Sequence, residues 1–274
     1  MKLGIALRTM GPQSTRETLL ACARAAEAAG LSEIHVPDHI AIPPDDAEGS
    51  GGRYLDPLTA LAFLAAKTER IGLATAVLIL PYRSALPTAK AIATVQELSG
   101  GRLVALGVGA GWMEPEFRAL GVPKEQRGAL TDDVLAFLVD AFAHDVVERN
   151  GQKFLFLPRP ERPKILVGGA PPHALARAAK YGDGWLPIGT KPADLAAHVA
   201  TLRGLFAAAG KPAPEVAVMT RLPLEDRAHA TDLALAYREA GATRLVHGNR
   251  YADASEFAAQ AEALARAAGS WPTH

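Results

Sequence analysis

Residues 103–112 read LVALGVGAGW, an apolar run that ends in three glycines at alternate positions. A nearly continuous apolar run is typical of a strand in a parallel sheet, because such a strand is covered on both faces. Glycines at its end indicate a close approach of the backbone to another group, since glycine has no Cβ. The fingerprint of a dinucleotide-binding turn is a poor match, because Trp112 stands where its last glycine should be.

The chain on both sides of this strand alternates short apolar runs with helical segments. The first helix is expected to open with a capping box made by Ser14 and Glu17 and to stop at Gly30. Asn150-Gly151 lies between two β-prone runs and predicts a short hairpin inserted around residues 146–156. The predicted strands of the main sheet are Leu3–Leu7, Ile34–Val36, Ile71–Leu80, Leu103–Val108, Ile165–Val167, Trp185–Ile188, Val216–Thr220 and Arg244–Val246.

Eight strands that alternate with helices predict an α/β fold, a (β/α)₈ barrel formed by residues 1–274 as a single domain. A doubly wound parallel sheet produces the same alternation and is the alternative fold. Residues 40–55, rich in glycine, proline and aspartate, are expected to form a lid over the mouth of the barrel.

The amino-acid composition limits which kinds of binding partner and which cellular compartment we expect for this protein. Lys plus Arg and Asp plus Glu each number 29, so the net charge is zero and a nucleic-acid partner is not expected. Cys22 is the single cysteine, and no Cys/His spacing suits a metal. The first apolar stretch is too short for a signal peptide, and no run approaches about 18 apolar residues, so we expect a cytoplasmic protein that has no membrane partner.

In a (β/α)₈ barrel the chemistry lies where the strands end, on the loops that lead into the helices. These positions hold many glycines and only one carboxylate, Asp38, whereas glycosidases need two carboxylates and metal catalysis needs about three ligands. A wide mouth lined by backbone is typical of a holder for a flat, phosphate-bearing cofactor. The residues at the predicted strand ends are Arg8, Thr9, Asp38, His39, Thr75, Ala76, Val77, Gly109, Ala110, Gly111, Trp112, Gly168, Gly169, Ile188, Gly189, Thr190, Arg221 and His247.

Four longer stretches carry a resemblance to a known family. They are VPDHIAIPP (36–44), YLDPLTALAFLAAKTERIGLATAVLILPYR (54–83), AKAIATVQELSGGRLVALGVGAGWMEPEFRALGV (89–122) and KILVGGAPPHALARAAKYGDGWLPIG (164–189). Together they resemble the bacterial luciferase-like superfamily, and within it the deazaflavin-dependent oxidoreductases. Their order and spacing over the first two thirds of the chain carry the resemblance, since no single motif decides it.

The resemblance implies a barrel that binds coenzyme F420, or FMN in sister branches, at the carboxyl ends of the strands. The ring and ribityl chain would lie against GVGAGW, and the backbone of Gly168-Gly169 with the helix that follows would receive the phosphate. Ile188 and Gly189 would border the same site. The family carries a non-proline cis peptide at a bulge after its third strand, which here corresponds to Ala76–Val77, next to Thr75.

His39 matches a histidine that serves as a proton donor beside the ring in related enzymes, and Asp38 would hydrogen-bond the cofactor. The match departs at Trp112, where the sugar-phosphate dehydrogenases of the family have a glutamate, so oxidation of a sugar hydroxyl is not expected. Lys191 corresponds to a phosphate-contacting lysine of those enzymes. Members often form dimers, and the apolar second and third helices would allow a homodimer.

The resulting hypothesis is an F420-dependent oxidoreductase that transfers a hydride between reduced deazaflavin and a small organic substrate. An FMN-dependent luciferase-like monooxygenase is the close alternative, because it uses the same barrel. A barrel that binds a phosphorylated metabolite without redox chemistry is the alternative from another class. That alternative predicts a compact phosphate pocket at the seventh and eighth strands of the barrel.

Overall fold

The computed structural model describes residues 1–47 and 49–268, and within them eight parallel strands close into a barrel. Around the barrel the strands follow the order β1-β10-β9-β8-β7-β4-β3-β2. The (β/α)₈ prediction is therefore confirmed, and the doubly wound sheet is wrong because the first and last strands pair. The strands are β1 (Lys2–Ala6), β2 (Glu33–Val36), β3 (Gly72–Ile79), β4 (Leu103–Gly109), β5 (Val146–Arg149), β6 (Gln152–Leu155), β7 (Lys164–Gly168), β8 (Gly184–Leu186), β9 (Glu215–Thr220) and β10 (Arg244–His247).

Helices of the described chain surround the barrel and cover its outer face. None of them is long and apolar enough to cross a bilayer. Their buried faces pack on the outward-facing strand residues to form the main core. The helices are α1 (Arg16–Ala28), α2 (Pro57–Ala65), α3 (Ala85–Leu98), α4 (Glu114–Ala119), α5 (Arg127–Ala143), α6 (His173–Tyr181), α7 (Pro192–Ala208), α8 (Arg227–Glu239) and α9 (Ala254–Ala268).

The helix starts agree with the sequence signals at one position and differ at another. Asp56 caps α2 by accepting from the Thr59 N–H, and Pro57 follows it as the first helical residue, both of which are common at helix starts. The predicted capping box is wrong, because Thr15 caps α1 and accepts from the Thr18 N–H. Ser14 instead donates to the Gly11 carbonyl.

The predicted hairpin is confirmed: β5 and β6 pair antiparallel outside the barrel. Its turn is Asn150-Gly151, with φ of 52° and 76°. Positive φ at both central residues matches the right-handed twist of the two strands, which explains the strength of the Asn-Gly signal.

The barrel interior is narrow and divided into layers. Its apolar layer consists mostly of small residues, namely Ala74, Ala105, Leu166, Leu186 and Ala217. Nearer the amino ends of the strands, the buried Arg244 guanidinium bonds to the carboxylates of Glu33 and Glu215. The Glu33 carboxylate also contacts Nε2 of buried His35 at 3.0 Å. Burial acts to raise the pKa of Glu33, but His35 and Arg244 hold it below its usual range.

Candidate active site

A cavity of about 720 Å³ opens at the carboxyl ends of β2, β3, β4 and β7, and we call it the first cavity. Of the thirteen predicted strand-end residues from Asp38 to Gly189, eleven line it and two do not. The eleven are Asp38, His39, Ala76, Val77, Gly109, Ala110, Gly111, Trp112, Gly168, Gly169 and Ile188.

The two predicted residues outside the cavity wall are Thr75 and Gly189. Thr75 is fully buried, and its hydroxyl donates to the Gly107 carbonyl at 2.7 Å, so it ties β3 to β4 beneath the cavity floor. Gly189 donates its N–H to the Met219 carbonyl and turns the chain away at a φ of 69°. Its neighbour Ile188 lies beyond the end of β8 and is 62% exposed at the cavity rim.

A bulge in β3 forms part of the cavity wall. Pairing with β4 shifts register between Thr75 and Leu78, and the peptide Ala76–Val77 in this gap is cis, as the resemblance implied. A Cβ on Gly109 would lie 2.6 Å from a Val77 methyl group, and a Cβ on Gly168 would lie 2.9 Å from the other. These two glycines therefore make room for the Val77 side chain, a packing role that the sequence analysis did not anticipate.

His39 lies at one end of the first cavity and is held by a buried carboxylate. Its Nδ1 lies 2.7 Å from Oε2 of Glu116, which comes from α4 and is fully buried. The His39 ring also meets the rings of Tyr54 and Trp112 edge-on, with centroids 5.0 Å and 6.0 Å away. With Nδ1 bound to Glu116, Nε2 is the ring nitrogen left for a ligand of the cavity.

Glu116 is a candidate functional residue that was not predicted from the sequence. Its Oε1 accepts from the N–H groups of Ile40 and Ala41, and its Oε2 also accepts from the Tyr82 hydroxyl. Burial acts to raise the pKa of Glu116, but these donors and His39 hold it below its usual range. Glu116 is therefore a carboxylate at neutral pH. It was missed because it lies on a six-residue helix rather than at a strand end.

Asp38 is held by a bidentate salt bridge. Its two carboxylate oxygens accept from Arg83, at 2.5 Å and 2.9 Å, and one of them also accepts from the Ile79 N–H at 2.8 Å. Arg83 reaches on to Asp56 at the start of α2. The carboxylate thus joins the ends of β2 and β3, and the prediction that it bonds a cofactor stays a prediction.

The opposite end of the first cavity is basic, which the sequence analysis also missed. Arg127, His173 and Arg177 line it, together with the acidic Glu125. Arg177 is fixed by Asp132, which accepts from its Nε at 2.6 Å. The signal was available in HALARAAKY, where the α6 positions one and five place His173 and Arg177 on one face.

The predicted lid is anchored close to His39. Leu55 donates its N–H to the Thr9 carbonyl, and Tyr54 pairs with Met10 as an isolated bridge. Ile40 and Ala41, at the other end, are bonded to Glu116. Residue 48 of this segment, like residues 269–274 of the predicted domain, lies outside the described residues.

A family model described as luciferase-like monooxygenase matches residues 1–272. The chain belongs to the luciferase-like monooxygenase family. An uncharacterised protein from Mycobacterium tuberculosis is 31% identical over 269 residues, which cover 90% of this chain and 93% of that protein. Family members are oxidoreductases, so the chain is an oxidoreductase and the non-redox alternative is wrong.

Two solved structures share the luciferase-like fold over nearly the whole chain. An F420-dependent secondary alcohol dehydrogenase, in complex with an F420-acetone adduct, superposes with a TM-score of 0.81 at 15% identity and covers 97% of each chain. The oxygenating constituent of 3,6-diketocamphane monooxygenase of Pseudomonas putida, in complex with FMN, gives 0.76 at 14% identity and again 97% of each. These likenesses establish the fold of this luciferase-like chain.

Proposed function

We propose that the protein is an F420-dependent oxidoreductase that reduces a small organic substrate. The observation that carries the proposal is the first cavity, which places His39 with its carboxylate partner at one end and Arg127 and Arg177 at the other. One elongated cavity thereby offers a proton donor for the reacting ring and cations for an acidic chain.

The residues present fit a deazaflavin. The cavity volume of about 720 Å³ lies within the range of ligand sites, roughly 300–1,000 Å³. The bulge at Ala76–Val77 and the backbone of Gly109 and Ala110 would hold the flat ring. His173 in the first turn of α6, with Arg177, would hold the phosphate, because a helix start offers free N–H groups.

The basic end favours the deazaflavin over FMN, since the deazaflavin continues beyond its phosphate as an acidic tail. Arg127 is exposed, and its Nη1 donates to the Lys124 carbonyl at 3.1 Å. Its place at the cavity rim suits the tail, whereas FMN would end at the phosphate. Guanidinium groups bind carboxylates and phosphates in a two-point geometry.

The residues of the first cavity would hold the deazaflavin, which in its reduced form would supply the hydride for an organic acceptor. His39 supplies the matching proton from Nε2, because Nδ1 is committed to Glu116. The carboxylate holds the ring orientation and stabilises its positive charge before the proton leaves. Tyr54 and Trp112 flank the His39 ring edge-on and help to fix its orientation.

The test is a parallel titration of the protein with F420 and FMN, followed by tryptophan fluorescence. We expect F420 to bind at micromolar concentration or below and FMN to bind much more weakly. Arg127→Gln should weaken F420 by about tenfold and change FMN little, because the lost contact is to the tail. Arg266→Gln, an exposed arginine on α9, is the matched control.

Two outcomes would contradict the proposal. Tighter binding of FMN, with no effect of Arg127→Gln, would assign the protein to the FMN-dependent monooxygenases of the family. If the protein binds neither F420 nor FMN, the first cavity is not the site of a redox cofactor.

A further inference from the structure

A second cavity, of about 510 Å³, lies across the barrel mouth from the basic end of the first cavity. It is formed by the segments that follow β1, β9 and β10, and Pro37 and Ala76 line both cavities. The two cavities therefore meet at the β3 bulge. Its other lining residues are Ala6, Leu7, Arg8, Met10, His35, Met219, Arg221, Gly248, Asn249 and Arg250.

We propose that the second cavity binds the substrate and that the substrate is an organic anion with an apolar body. Arg8, Arg221 and Arg250 would bind its carboxylate or phosphate group. The apolar body would lie against the methionines and Ala76, toward the first cavity. The inference rests on the proposed function only in taking the first cavity as the cofactor site.

The lining of the second cavity has an excess of positive charge. Three arginines line this cavity, and no acidic side chain of the described residues does. Arg221 pairs loosely with Glu225 at 3.7 Å, with both side chains about two thirds exposed at 65% and 68%. An ion pair that exposed contributes little, so it leaves the arginine available to a ligand.

The guanidinium group of Arg8 has a buried donor without a hydrogen-bond partner among the described residues. Its Nε is buried and has no hydrogen-bond partner among the described residues, and its Nη2 reaches the Gly49 carbonyl at 3.3 Å. Nδ1 of His35, a fully buried residue of the cavity wall, likewise lacks a partner in the described part of the chain. Buried polar groups without partners are rare in proteins and indicate a ligand or water.

The arginine-bearing segments are tied together, so the cluster is preorganised. The Arg8 N–H donates to the hydroxyl of Tyr251, the residue after Arg250, at 2.9 Å. The Gly248 N–H donates to the carbonyl of Thr220, the residue before Arg221, at 3.0 Å. A preformed cluster binds an anion without the cost of ordering three separate loops.

The place of the cluster agrees with barrel architecture. β9 and β10 are the seventh and eighth strands of the barrel, where many barrels bind phosphate. The sequence analysis expected such a pocket only for a non-redox protein. Here the pocket adjoins the first cavity of an oxidoreductase, so its anion belongs to the substrate.

Calorimetric titration at low salt tests the proposal without turnover. The probes are hexanoate, its uncharged counterpart hexanamide, and inorganic phosphate. We expect hexanoate to bind more tightly than hexanamide, and Arg221→Gln and Arg250→Gln each to weaken hexanoate by about tenfold. Hexanamide should be unaffected by either variant.

Arg266→Gln is the matched control. Arg266 forms an exposed pair with Glu262, four residues away, as Arg221 does with Glu225. The control should leave every titration unchanged. Thermal denaturation of each variant shows that the fold is kept.

Any of three results would overturn the proposal. They are equal binding of hexanoate and hexanamide, unchanged hexanoate binding in the double variant Arg221→Gln/Arg250→Gln, and binding of neither hexanoate nor phosphate. The same variants are also titrated with F420, which reports on the first cavity. Failure of the substrate-site proposal can therefore be distinguished from failure of the proposed function. Those titrations should match the unmodified protein. If the unmodified protein binds hexanoate but does not bind F420, only the assignment of the first cavity to the cofactor is contradicted.

Discussion

At the scale of single residues, the contact between His39 Nδ1 and the Glu116 carboxylate is the feature of the first cavity that the structure adds to the sequence. We predict that Glu116→Gln lowers kcat on the order of 10²-fold and leaves F420 affinity unchanged, because the neutral amide no longer stabilises the charged ring. The measurement is steady-state kinetics with reduced F420 and an acceptor found by screening. ¹⁵N NMR of the His39 ring should show the Nδ1–H tautomer in the unmodified protein and not in the variant.

Tyr82→Phe is the matched control for that variant. It removes another donor to the same oxygen of Glu116 while leaving the His39 contact in place. Its effect on kcat should be far smaller. Equal losses in the two variants would show that Glu116 acts only by holding the fold.

A second prediction at this scale concerns pH and His247. Burial, with the charge of Arg221, lowers the pKa of His247 to about 4, and its Nδ1 accepts from the Leu222 N–H. The unfolded chain binds a proton near pH 6.5 that the folded chain takes up only near pH 4, so stability falls as pH falls through this window. The loss is on the order of 3 kcal/mol.

Urea denaturation at pH 7 and pH 4.5 checks this loss. His247→Asn keeps an acceptor for Leu222 but cannot titrate, so the pH dependence of its free energy of unfolding should be shallower. Identical pH dependence of the two proteins would contradict the assignment to His247.

At the scale of elements, the β3 bulge and the glycines of β4 and β7 form a matched set. Gly109→Ala would bring a methyl group within 2.6 Å of Val77, and we predict a loss of about 1–3 kcal/mol in the free energy of unfolding. In a Val77→Ala background the obstructing methyl groups are gone, so the same substitution should cost much less. Denaturant titrations of the four proteins give the coupling energy directly.

Gly204→Ala is the control for the glycine substitution. Gly204 lies inside α7 with open space where the methyl group of an alanine would lie, so alanine should stabilise by about 0.5–1 kcal/mol. Additive effects of Gly109→Ala and Val77→Ala would show that the two residues do not meet.

Part of this arrangement could be predicted from sequence and part could not. The alternation of apolar runs and helices predicts the barrel, and eleven of the residues that the strand-end rule names line the first cavity. The strand-end rule does not include Glu116 and Arg127, because they lie on α4 and α5, in the long connection between β4 and β7, and not at the end of a strand. Thr75 lies outside the cavity wall because its side chain is fully buried and its hydroxyl bonds to the Gly107 carbonyl.

At the scale of the whole molecule, the buried Arg244 joins three strands inside the barrel. We predict that Arg244→Met destabilises by about 3–5 kcal/mol, because Glu33 is then a buried carboxylate without its arginine. Adding Glu33→Gln removes the unpaired charge, so the double variant should be more stable than Arg244→Met alone. Thermal and urea denaturation of the three proteins give the order, and a double variant less stable than the single one would contradict it.

The separation of the two cavities, whose linings among the described residues have only Pro37 and Ala76 in common, has an evolutionary consequence. β2, β3, β4 and β7 carry the first cavity, whereas the segments after β1, β9 and β10 carry the arginines of the second. Mutations in one arc of the barrel can therefore be selected without disturbing the other. A lineage built on this plan can change the arginines on the three segments after β1, β9 and β10 while it keeps the wall of the first cavity intact.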